Sequence, residues 1–254
     1  MTPATQPRNK ARRYGMVIDI DRCSGCGACV IACAAENNVP PAPEKANDRN
    51  SVTLLRVTSL SDGNGSAAFM PMMCMQCNHE TPCVSVCPQQ AVELDPVTGI
   101  VVQMPQRCLG CRYCMTACPY HARSFNWWDP TWPAGMELSL NPDVAPRMRG
   151  VVEKCDFCHG RLHEAEDVAA AAGQPAAKGY TPACAEACPT RAIVFGDTAD
   201  PGSAVSRLIA EGDSFVWLEK LDTQPKVRYR TRKPWLKAMA ERGGAAPQKE
   251  VRHG

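Results

Sequence analysis

The chain has 254 residues, enough for one large domain or two small ones, so it does not need cross-links or metals merely to fold. A formal net charge of +2 argues against a nucleic-acid partner, and no apolar run approaches the ~18–20 residues that cross a bilayer, so no transmembrane segment is expected. Sixteen cysteines beside 22 prolines, 18 glycines and only 6% aromatics describe a loop-rich chain whose thiols need a purpose beyond stapling a small scaffold.

Along the chain, Arg12-Arg13 suggests a twin-arginine export signal. The apolar stretch that follows is only Met16 to Ile20, contains Asp19 and leads to no small-residue cleavage site. We therefore expect no export signal here and read Tyr14 to Ile20 as a first strand. Cys23, Cys26, Cys29 and Cys33 follow. Residues 34–69 are a polar, Pro-rich insertion with one strand candidate at Val52 to Val57. Met70, Met72, Met73 and Met75 surround Cys74 and read as an apolar shell that excludes water. Cys74, Cys77, Cys83 and Cys87 form the next group. AVELDPVTGIVVQ reads as strand, turn, strand, with Asp95-Pro96 and Gly99 in the turn.

Cys108, Cys111, Cys114 and Cys118 are the third group. A second insertion, 121–154, carries Trp127, Trp128 and Trp132. Cys155 and Cys158 open the fourth group. HGRLHEAEDVAAAA is then a helix by propensity, ended by Gly173. Cys184 and Cys188 close the group, and AIVFG at 192–196 is a short strand. Residues 198–254 form a C-terminal extension. Its segment KVRYRTRKPWLK, 226–237, has six positive charges and no negative one. A solvated tail, a partner-docking segment and a contact for anionic lipid headgroups all suit it.

Every group opens with C-x-x-C and closes with C-x-x-x-C; only the central spacing varies, at two, five, two and twenty-five residues. A constant frame with a variable centre is an internal repeat. Pro88, Pro119 and Pro189 follow the last cysteines of groups two to four, whereas group one has Ala34 there. C-x-x-C-x-x-C presents three thiolates on one tight loop to a 4Fe–4S cube, and the cysteine of the trailing C-x-x-x-C-P ligates the other cube of a two-cluster pair. Cys74, Cys77 and Cys83 should then share a cube with Cys118, and Cys108, Cys111 and Cys114 with Cys87.

By the same rule Cys23, Cys26 and Cys29 go with Cys188, and Cys155, Cys158 and Cys184 with Cys33. That step requires MVIDI and AIVFG to pair and close a split module. Zinc would use two C-x-x-C pairs and leave the third cysteine and the proline unexplained. A disulfide framework suits shorter secreted chains.

These residues identify the chain as resembling the four-cluster, ferredoxin-like electron-transfer subunits of the complex iron–sulfur molybdoenzyme family. Such subunits serve dimethyl-sulfoxide, polysulfide and tetrathionate reductases. The resemblance runs from MVIDIDRCSGCGACVIAC through CMQCNHETPCVSVCP and RCLGCRYCMTACPY to KCDFC and ACAEACPTRAIVFGD, with TQPKVRYR similar to the family's closing strand. Within the family it resembles iron–sulfur subunits of menaquinone reductases and similar respiratory complexes.

The resemblance implies an α+β fold of two pseudo-symmetric ferredoxin-like two-cluster modules, with inserted loops and a C-terminal extension. The modules would be 14–33 plus 155–197 and 70–120. It implies four 4Fe–4S clusters, a large catalytic or haem-bearing partner and an integral-membrane quinone-site partner. It also implies a peripheral place on the membrane, on the periplasmic side. Five residues between Cys77 and Cys83, where four are commoner, suggest a loosened second group. Some relatives lack a cysteine in group three and hold a 3Fe–4S cluster. Cys111 is present here and favours four cubes, leaving 3Fe–4S at one site open.

Arg22, Arg107 and Lys154 immediately precede group-opening cysteines. Each is either a cation that raises a cluster's potential or a solvated surface charge. His79 and His159 read as hydrogen-bonding loop residues. Trp127 and Trp128 read as packing or as part of a route between clusters. No catalytic residue is expected: the chain has no G-x-G-x-x-G after a strand, no P-loop and no cluster motif with a missing ligand. A self-contained iron–sulfur oxidoreductase is the alternative function.

Overall fold

A computed structural model describes residues 12–42, 47, 51–145, 147–174, 179–242 and 249–250. Most of the stretch read for an export signal, residues 1–11, lies outside the described residues. The fold is mixed α/β: short helices and small sheets, consistent with a ferredoxin-like architecture. No described helix is long and apolar enough to cross a membrane.

Strand β1 (Tyr14–Asp19) is buried along nearly its whole length, as its continuous apolar run requires of a central strand. It leads through the first C-x-x-C into α1 (Ala28–Glu36), which carries Cys29 and Cys33 on its buried side. A hairpin of β2 (Leu55–Ser61) and β3 (Ala67–Met73) follows. The strand expected at Val52 to Val57 is thus shifted, and its partner was not expected at all. The turn is made by Asp62, whose Oδ1 accepts the amides of Asn64 at 2.8 Å and Ser66 at 3.0 Å. Met70, Met72, Met73 and Met75 are all at most 5% exposed and pack in the cluster that holds Cys74 and Cys77, as expected of a water-excluding shell.

Helix α2 (Pro82–Ser85) precedes β4 (Val92–Leu94) and β5 (Val101–Gln103), the expected strand–turn–strand, paired from Val92–Gln103 to Leu94–Val101. Next come α3 (Tyr113–Ala117), β6 (Ser124–Phe125) and β7 (Val152–Glu153), the last two paired with each other. Helix α4 (His159–Ala171) lies where propensity put it, with Gly173 at φ +67° just beyond. Helix α5 (Ala183–Glu186) carries Cys184, and β8 (Ile193–Asp197) pairs antiparallel with β1, Tyr14 opposite Asp197 and Ile18 opposite Ile193.

The C-terminal part corrects one expectation. After α6 (Ala204–Ala210) and β9 (Ser214–Phe215), the basic segment supplies β10 (Val227–Arg230), which enters the central sheet beside β1 in parallel, giving the order β8-β1-β10-β9. Val227 and Tyr229 are fully buried. Arg230 pairs with Glu211 at 2.9 Å and Asp213 at 2.8 Å, and Arg228 donates to Ser214 at 2.9 Å. Helix α7 (Pro234–Arg242) then buries Leu236 and Ala240. Residues 226–242 are therefore packed structure and not a solvated tail; most of their charge is used inside the chain. At the far end β11 (Lys249–Glu250) lies against β2.

Candidate metal centres

The cysteines sit on a repeated backbone device. In each C-x-x-C the residue before the second cysteine is left-handed: Gly25 (φ +74°), Gln76 (+52°), Gly110 (+75°) and Phe157 (+61°). This bends the loop so that its amides and thiols face one side. A second device follows Cys87, Cys118 and Cys188. Each is followed by proline, and the third residue on (Gln90, His121 or Arg191) is left-handed and donates its amide to the cysteine carbonyl. Next, the amides of Ala91 and Ala192 donate to the Cys87 and Cys188 sulfurs, both at 3.2 Å.

Three small cavities are each rimmed by four thiols from two separate segments. One is bounded by Cys74, Cys77, Cys83 and Cys118, one by Cys87, Cys108, Cys111 and Cys114, and one by Cys23, Cys26, Cys29 and Cys188. Cys155 has Cys33, Cys184 and Cys158 as its charged neighbours, so these four form the remaining group. All sixteen thiols are free. Among the described residues no three His, Cys, Asp or Glu side chains converge closely enough for a single metal ion, which disfavours zinc. Four thiols spread around a cavity fit a cube of four irons, because a cube holds its ligands farther apart than one ion does. The largest groove, lined by Glu36, Arg161, Tyr180 and Glu186, holds no cysteine.

Burial pushes the Cys29 and Cys77 thiols up to about 12, with neighbouring thiolates adding to the shift. Cys158 rises to about 11 and Cys33 and Cys155 well above the ordinary range, again chiefly through burial. Cys188 is the exception. Burial would raise it, but hydrogen bonds from Thr190, Ala192 and Ile193 outweigh that and lower it. The five-residue spacer after Cys77 is a turn docked on residues 223–224, where the Asn78 amide reaches the Thr223 and Gln224 carbonyls at 3.1 Å, and Cys83 lies within α2.

Comparison with known proteins gives the setting. Residues 66–134 match the 4Fe-4S dicluster domain family. The iron–sulfur cluster-binding subunit of menaquinone reductase from Nitratidesulfovibrio vulgaris is 48% identical over 237 residues, covering 90% of this chain and 92% of that one. A putative dimethyl sulfoxide reductase iron–sulfur subunit from Halobacterium salinarum is 39% identical, covering 85% and 78%. One of the polysulfide reductase subunits of Wolinella succinogenes is 37% identical, covering 85% and 93%. The chain belongs to the iron–sulfur subunits of the complex iron–sulfur molybdoenzyme family. As a member, it is an electron-transfer subunit of 4Fe–4S type, and sixteen cysteines are the ligand complement of four cubes.

The structure separates the three cations singled out in this family member. Arg22 and Arg107 are exposed. Lys154 is buried, and its Nζ donates to the Cys155 carbonyl at 3.0 Å and to that of Val101. Gln76, fully buried, spans the same gap: Nε2 donates to the Cys155 carbonyl at 2.8 Å and Oε1 accepts the Val101 amide at 2.7 Å. Lys226, with its amine lowered to about 8 mainly by burial, donates to the Cys77 carbonyl at 3.2 Å. Arg123, 6% exposed, donates to Cys114 Sγ at 3.3 Å.

Arg123 was missed because nothing in the sequence marks it, whereas Gln76 had one available signal, its place inside a C-x-x-C. His79 is exposed beside Asp222 at 3.7 Å; His159 is the first residue of α4, not a loop residue, and meets the His163 ring edge to face. Trp127 packs on Phe125 beneath Arg112, while Trp128 is exposed.

Proposed function

We propose that the chain conducts electrons through four 4Fe–4S clusters in series, between a large catalytic or haem-bearing subunit and an integral-membrane quinone-site subunit. The exposure of the ligands carries this reading. Two groups each expose one cysteine, Cys26 or Cys111, and bury one, Cys29 or Cys114, whereas the other two expose none and bury three each, Cys33, Cys158 and Cys184 in one and Cys74, Cys77 and Cys83 in the other. The linking contacts give an order. Cys184 has Cys29 among its neighbouring thiols, Gln76 joins the Cys74 loop to the Cys155 loop, and Cys114 has Cys83 as a neighbour.

In this order the set of Cys23, Cys26, Cys29 and Cys188 lies at one end. The set of Cys155, Cys158, Cys184 and Cys33 follows, then that of Cys74, Cys77, Cys83 and Cys118. The set of Cys108, Cys111, Cys114 and Cys87 lies at the other end. Two exposed ends and two buried middles suit a conductor with a partner at each end. Each cluster supplies a site that takes up and gives back one electron. The residues do the rest: thiolates hold the irons, loop amides offset negative charge on sulfur, and the methionine shell keeps water out.

The pairing of β1 with β8 supports a split module of 14–33 plus 155–197 around an inner one, 70–120, with 34–69 and 121–154 as insertions and 198–254 as the extension. We place the subunit peripherally on the membrane, on its periplasmic side; thiol labelling of intact cells against lysed cells checks the side. The first test is iron and acid-labile sulfide per chain, with EPR, on anaerobically purified protein. About sixteen irons, four per cube, with reduced cubane signals support the reading. About fifteen with an oxidised-state 3Fe–4S signal mean that one site holds three irons. Near-zero iron after anaerobic handling overturns it.

A further inference from the structure

Arg123 is a cation buried among thiols. It lies five residues beyond Cys118, just before β6, and is 6% exposed. Nη1 donates to Gln103 Oε1 at 2.9 Å and to Cys114 Sγ at 3.3 Å. Nη2 is buried with no hydrogen-bond partner. The side chain also lines the neighbouring cavity, that of Cys74, Cys77, Cys83 and Cys118. One guanidinium therefore stands between two thiol sets, bonded to one and facing the cavity of the other. Burial works against its charge, and the thiolates of Cys83, Cys114 and Cys74 outweigh that penalty. A buried cation without a carboxylate is stable only beside other negative charge, and two four-thiolate centres supply it.

Resting on the four-cluster reading, we propose that Arg123 is a shared cation for two adjacent clusters. It holds up the reduction potential of the cluster on Cys87, Cys108, Cys111 and Cys114 and of the cluster on Cys74, Cys77, Cys83 and Cys118. It also offsets the repulsion between electrons resident on both. Its role is one of positioning and tuning: positive charge beside a cluster favours the more negative, reduced state. The planar fork of arginine is what allows one side chain to serve two sides; a lysine is a single point of charge.

The test uses the holoprotein, purified anaerobically, with iron content and an EPR-monitored redox titration. In Arg123→Gln, two of the four midpoint potentials are expected to fall, each by a tenfold change in the reduction equilibrium, about 59 mV for one electron. The other two stay in place. A fall in one only, or in none, at full iron content overturns the proposal. Arg123→Lys is expected to retain one of the two potentials and lose the other. Both unchanged, or both lowered as in the glutamine variant, overturns it and decides the matter should the glutamine variant bind less iron. Near-zero iron in the unaltered protein would instead sink the cluster reading itself.

Discussion

Single residues show how closely the thiol loops are built. At Gly110 the backbone has φ +75°, and an added Cβ would lie 2.3 Å from the Gly150 carbonyl oxygen. Gly110→Ala is therefore expected to cost more than ~1 kcal/mol and to remove about four irons per chain, the content of one cube, as read by iron analysis. The buried thiols make assembly pH-dependent. Cys29 and Cys77 titrate near 12 and Cys158 near 11 against an ordinary 9.0, so at neutral pH all three hold protons until iron displaces them. Anaerobic reconstitution at neutral pH should release protons in a pH-stat and weaken as pH falls.

For any iron-free folded chain the dependence runs the other way. The folded values lie above 9.0, so stability is intact below that pH and is lost as pH rises toward 11–12. The cysteines were readable from sequence because ligand chemistry fixes their spacing. Arg123 was not, because its meaning depends on two loops, from 74–83 and 108–118, meeting on either side of it.

Among the elements, those with local punctuation were legible. The turn of β4 and β5 is announced by Asp95, Pro96 and Gly99, and α4 by helix formers ending at Gly173. Strand β3, AAFMPMM, escaped notice because methionine and proline are not strand signals; it is a strand because β2 pairs with it. Strand β10 was expected from the resemblance of TQPKVRYR to the family's closing strand, and its residues agree: VRYR alternates buried Val227 and Tyr229 with half-buried arginines, the period of a strand.

Because α7 is packed, Leu236→Ala should destabilise the protein by ~2–5 kcal/mol, seen as a lower anaerobic thermal midpoint. The second insertion is held by a buried ion pair, Arg147 to Glu153 at 2.7 Å, while Arg147 also donates to the Asn37 carbonyl beside Cys33. Arg147→Ala leaves that buried carboxylate without its cation, keeping the hydrogen bond from Asn126 Nδ2 at 2.9 Å, and should cost ~3–5 kcal/mol. Arg149→Ala, whose exposed pairing with Asp129 spans 4.0 Å, should leave the same midpoint nearly unchanged.

For the whole molecule, the centres are the places where distant parts of the chain meet. Cys33 joins Cys155, Cys158 and Cys184; Cys118 joins Cys74, Cys77 and Cys83; Cys188 joins Cys23, Cys26 and Cys29. Between them lie mostly short elements: many strands have two or three residues, and α2 and α5 have four each. Such pieces do not hold their shape alone. The longer elements are α1 and α7 with nine residues each, α4 with thirteen, β1 and the β2–β3 hairpin. Anaerobic iron chelation is therefore expected to abolish most far-UV circular dichroism, with a residue from those longer elements. Partial chelation should lose structure in proportion to iron, because on the proposed ligand sets each cube would join two segments. An unchanged spectrum at zero iron would mean that apolar packing around the methionine shell and the central sheet suffices. The cubes would then be cargo on a finished fold, and not the joints that close it.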